Sequence, residues 1–267
     1  MTADPRAGVV AQASALLAEA GDHDILKLPV LSAAELRVLC GDGTVPGDEA
    51  ETRWWAGLTG DKRAALAAAV MDLASHRGLL LAGRDGSQPP GPADGTASAS
   101  PRSPELAVIA AAWQQPSVVA MGLDGEGPAK SSPRLFGLAE DGQPPRSVVL
   151  EYATANSSAQ FGPMFGPLHT FALLSVPRAA RLLAQWATRP QPARRLLGKR
   201  GSAAAPRVVA IRWQGLAAPE RVVVSPGRGG HYEVSRQCPD TAPEPAVTVD
   251  ADALASQLAG ILASGPR

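Results

Sequence analysis

Polar and apolar positions alternate along this chain with two different periods, and the change from one to the other divides it. In residues 59–76 the large apolar side chains recur at Leu66, Val70 and Leu73, the three-to-four spacing of a helix with one buried face, and Gly78 sits where a C′ glycine belongs. Residues 7–20 (AGVVAQASALLAEA) predict an Ala-rich helix ending near Gly21. Ser32 followed by Glu35 is a capping box opening the short helix AAELRVLC. Ser103-Pro104-Glu105 starts another, LAVIAAAWQQ, with a cap, a proline at the first helical position and an acid in the first turn.

Beyond Pro116 the period falls to two. Residues 117–123, 134–140, 147–152 and 168–174 are short β-type runs parted by Gly, Pro and Ser, the pattern of an antiparallel meander, and Ser175 then opens the amphipathic helix VPRAARLLAQWATR. Residues 207–213, 220–225, 231–236 and 246–249 repeat the four-run pattern. Asp250 caps a last helix whose Leu254, Leu258, Ile261 and Leu262 share a face. The predicted fold class is α+β, with two quasi-repeated halves, each an antiparallel β-meander with packed helices. The organisation that follows is an N-terminal helical region (1–82), a flexible linker (83–103), a first half (104–188), a connector (189–206) and a second half (207–267). The linker reading rests on composition, because GRDGSQPPGPADGTASASPRS holds almost nothing to bury.

Charge narrows the function. Lys plus Arg and Asp plus Glu are both 25, so no global field draws the chain onto nucleic acid or an anionic membrane. No apolar run is long enough to cross a bilayer, and the N-terminus lacks a signal-peptide core, so a cytoplasmic protein with no membrane insertion is expected. Cys40 and Cys238 stand too far apart for a redox pair or a zinc knuckle and read as buried, reduced thiols.

Local signatures of catalysis are missing. PGRGGH (226–231) joins two strands and precedes no helix, and GKRGS (198–202) follows Gly-Lys with Arg where a phosphate loop needs Ser or Thr, so both read as turns and not phosphate cradles. His23, His76, His169 and His231 are scattered without a ligand spacing, and His76 reads as a helix end. Glu140 and Asp141 fall in a turn, and no GxSxG elbow is present. Neither a cofactor nor a metal is expected. A triad assembled from distant segments stays open as an alternative, and so does a winged-helix regulator built on residues 66–81. Against the regulator, Asp61, Lys62, Arg63 and Asp72 mix both signs where a DNA reader needs a basic stripe.

The candidate binding segment is SSAQFGPMFGPL (157–168), in which Phe161, Met164 and Phe165 sit among Gly and Pro between two strands. Such an apolar loop either folds onto its own core or meets a partner.

Across residues 60–265 the order of elements resembles the EspG family, the chaperones of type VII (ESX) secretion. The residues that carry the resemblance are LAAAVMDLASHRGLL, PELAVIAAAWQQ, SVVAMGL and RLFGLAE, and at the end VVAIRWQG, ERVVVSPGRGGHYEVSR and AVTVDADALASQLAGILAS. The resemblance implies two quasi-symmetric α/β halves, no catalysis, and cytosolic binding of a secreted helical protein or heterodimer through an apolar surface.

Overall fold

The computed structural model describes residues 5–21, 24–40, 54–77, 103–123, 132–140, 143–154, 166, 168–189, 207–212, 219–238 and 244–263. Their elements run α1 (Pro5–Glu19), β1 (Ile25–Lys27), β2 (Leu31–Ser32), α2 (Ala33–Cys40), α3 (Gly60–His76), α4 (Pro104–Gln114), β3 (Val118–Gly122), β4 (Arg134–Leu138), β5 (Ser147–Thr154), β6 (Leu168–Ser175), α5 (Val176–Thr188), β7 (Val208–Arg212), β8 (Glu220–Pro226), β9 (Tyr232–Gln237), β10 (Val247–Val249) and α6 (Ala251–Ala263). The fold is α+β, built on one ten-stranded antiparallel sheet.

The capping signals of Ser103, Ser175 and Asp250 act as read, and Thr59 adds one that was not read. The Thr59, Ser103, Ser175 and Asp250 side chains each accept a backbone N–H three residues on, opening α3, α4, α5 and α6. Ser32 and Glu35 form the reciprocal box: Glu35 N donates to Ser32 Oγ (3.2 Å), and Ser32 N to Glu35 Oε2 (2.7 Å).

The strands lie in the order β1-β6-β5-β4-β3-β7-β8-β9-β10, with β2 also paired to β6. β3 to β6 step away from the centre in one direction and β7 to β10 in the other. The region before residue 82, expected to be helical, thus also lays two strand segments along the β6 edge.

Alternation along the strands sends side chains to two cores. On one face Val119, Met121, Phe136, Leu138, Val149, Phe171 and Leu173 pack beneath α1, α2 and α4. On the other, Val118, Ala120, Leu135, Val148, Leu174, Val208, Ala210, Val222 and Val224 pack beneath α5 and α6. All four residues of α6 predicted to share a face are buried there.

Basic side chains tie helix C-termini to the sheet. Arg207 Nε donates to the Ala187 carbonyl (3.1 Å) at the end of α5, and Arg212 Nη2 to the Ile261 carbonyl (2.6 Å) near the end of α6. Each satisfies a carbonyl that the helix leaves without an intrahelical partner and places positive charge at the negative dipole end. Arg212 also pairs with Glu220 (2.9 Å), which lies directly opposite it on β8.

Candidate partner-binding surface

All eight residues of α2 are buried, Glu35 and Arg37 included. A helix buried all round needs cover on both sides. Leu36, Leu39 and Cys40 face the sheet-side core, while Ala34 and Val38 join Leu66 and Val70 of α3 in a separate cluster. α3 is therefore an outer layer carried on α2. Its C-cap residue Arg77 pins it there, with Nη1 hydrogen-bonded to Glu35 Oε1 while Glu35 Oε2 serves the capping box. Leu73, expected on the buried face, is only half-buried; Ala74 takes that place.

Trp54 and Trp55 rest on this outer cluster, half-buried, with ring centroids 5.8 Å apart. Gly166 comes up against them. Its φ of +74° lies in the left-handed region, and a Cβ there would stand 2.9 Å from Ala33 Cβ and 3.2 Å from the Trp54 ring. Both constraints require glycine. Phe161, Met164 and Phe165 lie outside the described residues, but Gly166 is the next residue in the chain after Phe165. Gly166 itself thus stands at a corner formed by Trp54, α2 and α3, which no sequence signal connected with it.

A second cluster also escaped the sequence. Arg134, Glu151 and His169 sit on neighbouring strands and meet on the α4 side of the sheet. Glu151 Oε1 is hydrogen-bonded to both Arg134 Nη2 and His169 Nδ1. Trp113 of α4 roofs them, 5.6 Å from the Arg134 guanidinium and edge-on to the His169 ring at 5.8 Å. Glu151 and His169 have no exposed surface, so no solute reaches them in this conformation. The cluster is an internal ion-pair network, not an open acid–base site. Among the described residues Glu151 Oε2 and Trp113 Nε1 find no hydrogen-bond partner, a cost the network carries.

Two hollows lie among the described residues. One, of about 20 Å³, lies among Leu31, Val38, Leu39, Val70, Ala74 and Leu106 beside Glu35. The other is an open groove of about 330 Å³ between α5 and α6, lined by Arg181, Gln185, Thr188 and Asp252 with Ala184, Ala251 and Ala255. Among the described residues no group of three His, Cys, Asp or Glu is placed to hold a metal ion, and no helix is long and apolar enough to cross a membrane. Neither cysteine is in a disulfide; Cys40 is buried as expected, but Cys238 is only half-buried, since it follows the exposed end of β9. Half-burial raises the Tyr152 phenol above its ordinary value, and the Arg189 charge partly opposes this. No protein-family model matches the chain, and neither a curated protein nor a solved structure matches it.

Proposed function

We propose that this protein is a cytosolic chaperone or adaptor that holds a helical secretion substrate, of the kind handled by type VII (ESX) systems, through apolar contact. The observation that carries the reading is Gly166 against Trp54. Gly166 follows Phe165 directly in the chain and stands against half-buried Trp54, itself on the cluster of α2 and α3. Aromatic and Met side chains supply large contact area and adapt to varied helices. Three such side chains buried at a partner contribute about 4.5–9 kcal/mol gross, of the same order as the cost of association, so further contact along the partner must add the net affinity. The resemblance of the order of elements over residues 60–265 to the EspG family supports the same reading.

Isolation of the chain from its native cytosol tests it. A small helical protein or pair accompanies the wild type and is lost from the Phe161→Ser, Met164→Ser, Phe165→Ser variant, whose melting temperature stays within about 2 °C. A chain that comes out alone, or a triple variant that unfolds because the three residues are core, overturns the reading. Salt-dependent retardation of DNA by the pure chain would favour a regulator instead.

A further inference from the structure

The two faces of α2 are covered unequally. Leu36, Leu39 and Cys40 lie in the sheet-side core, and the Gln114 side chain of α4 donates to the Cys40 carbonyl at 3.2 Å. That contact at its end and the Ser32–Glu35 box at its start use no residue of α3. The outer residues Ala34 and Val38 belong to a small cluster of their own, whose other buried members are Leu66 and Val70 of α3.

α3 is attached by little. Of its 17 residues Leu66, Val70 and Ala74 are buried, whereas the 11 residues of α4 bury Leu106, Val108, Ile109 and Trp113 together with two alanines. Ala64, Ala65, Ala68 and Ala69 face solvent. Among the described elements, α2 is the one that α3 touches extensively. The polar tie across the joint is Arg77 to Glu35, and the Arg77 side chain is 37% exposed, so water competes for it. The hollow of about 20 Å³ beside Val70 and Ala74 leaves the layers short of close contact at the same joint. A segment with few buried apolar contacts and a solvent-exposed backbone opens before the body on which it rests.

We propose that α3 is an autoinhibitory cover. It lifts from α2 as a unit while α4 and the sheet stay folded, and the face around Ala34 and Val38 that it bares is the seat of one amphipathic helix of the partner polypeptide. The naming of that occupant rests on the chaperone reading; the opening of α3 does not. The helix now seated there shows what fits: α3 presents Leu66, Val70 and Ala74, spaced i, i+4 and i+8, as a single stripe. A partner helix with the same spacing takes the same seat. Cover and partner therefore compete, and the closed fraction of the chain lowers the partner's apparent affinity.

Hydrogen exchange of the full chain, with two variants, tests the opening. Arg77→Gln removes the exposed half of the ion pair and leaves the capping box intact. Val70→Asp places an unpaired carboxylate on the buried stripe and drives α3 off. In the wild type the α3 amides exchange on the order of a hundredfold faster than those of α4 and β5, and in Arg77→Gln about ten-fold faster again. The amides of α4 and β5 are unchanged in both variants. A fluorescein-labelled peptide of residues 57–77 serves as the probe helix for the seat. It binds the Val70→Asp chain roughly ten-fold or more tighter than the wild type, whose own α3 is in the way. Exchange of α3 in step with α4, loss of protection in α4 or β5 of Val70→Asp, or equal peptide binding by the two chains overturns the inference. None of these measurements needs the partner. If one of them fails while a helical partner still co-isolates and depends on Phe161, Met164 and Phe165, only this inference falls. If all hold and no partner co-isolates, the opening stands, and the chaperone reading falls together with the occupant it names.

Discussion

Gly122 of β3 and the Trp186 indole of α5 are in direct contact: a Cβ on residue 122 would stand 2.5 Å from Trp186 Nε1. The same N–H donates to the Leu123 carbonyl at 3.2 Å, and Arg189 covers the ring at 4.8 Å. The strand thus ends in a residue without a side chain because a tryptophan occupies the space. Gly122→Ala should displace the indole and break that hydrogen bond, costing about 1–3 kcal/mol as over-packing. Urea denaturation followed by tryptophan fluorescence checks it; an unchanged midpoint would mean that the ring moves aside freely.

The Arg134–Glu151–His169 network predicts an asymmetry between breaking and replacing. Glu151→Ala leaves a buried guanidinium without its carboxylate and should cost about 3–5 kcal/mol. Joint replacement by Arg134→Met, Glu151→Leu and His169→Phe removes the buried charge together with its partners and should restore stability to the wild-type level or above. Thermal melts of the two variants decide it, and a triple variant weaker than Glu151→Ala would contradict the account.

The hollow beside Val70 is bounded by α2, α3 and α4. Val70→Ile adds one methyl group to it while keeping a β-branched side chain in α3. The expected gain is about 0.5–1 kcal/mol, seen as a higher urea midpoint at constant slope. A loss would show that the space is already taken up by side-chain motion.

Tyr152 gives the pH dependence. Its phenol is raised from 10.0 in the fold, chiefly by burial. The unfolded chain therefore ionises it first, and its contribution, complete below pH 10, is lost as pH rises through the folded value. Melting temperature should fall on raising pH through 10 and above, and Tyr152→Phe should flatten that fall. Equal slopes for both proteins would contradict the assignment.

The element boundaries were legible because each rests on a local signal. Ser103, Ser175 and Asp250 were read as helix starts from their hydroxyl or carboxylate, and those atoms are the caps found; the Thr59 cap was not read, and only the apolar spacing located that helix. β1 and β2 went unread, since three and two residues on either side of Pro29 are too short for an alternation to register; they exist because β6 offers them an edge. The Arg134–Glu151–His169 contact was also hidden. Its members are 17 and 18 residues apart, and only the β4–β5–β6 register makes them neighbours. The corner of the proposed binding surface depends likewise on α2 being sandwiched, which no short window of sequence records. Its segment residues Phe161, Met164 and Phe165 were picked out by composition alone.

The most direct measurement of the central claim is native mass spectrometry of the chain drawn from its own cytosol. The account predicts a complex with one or two small helical polypeptides, reduced to the bare chain when Phe161, Met164 and Phe165 are serine. A wild-type chain that flies alone, or a complex indifferent to those three residues, would contradict it.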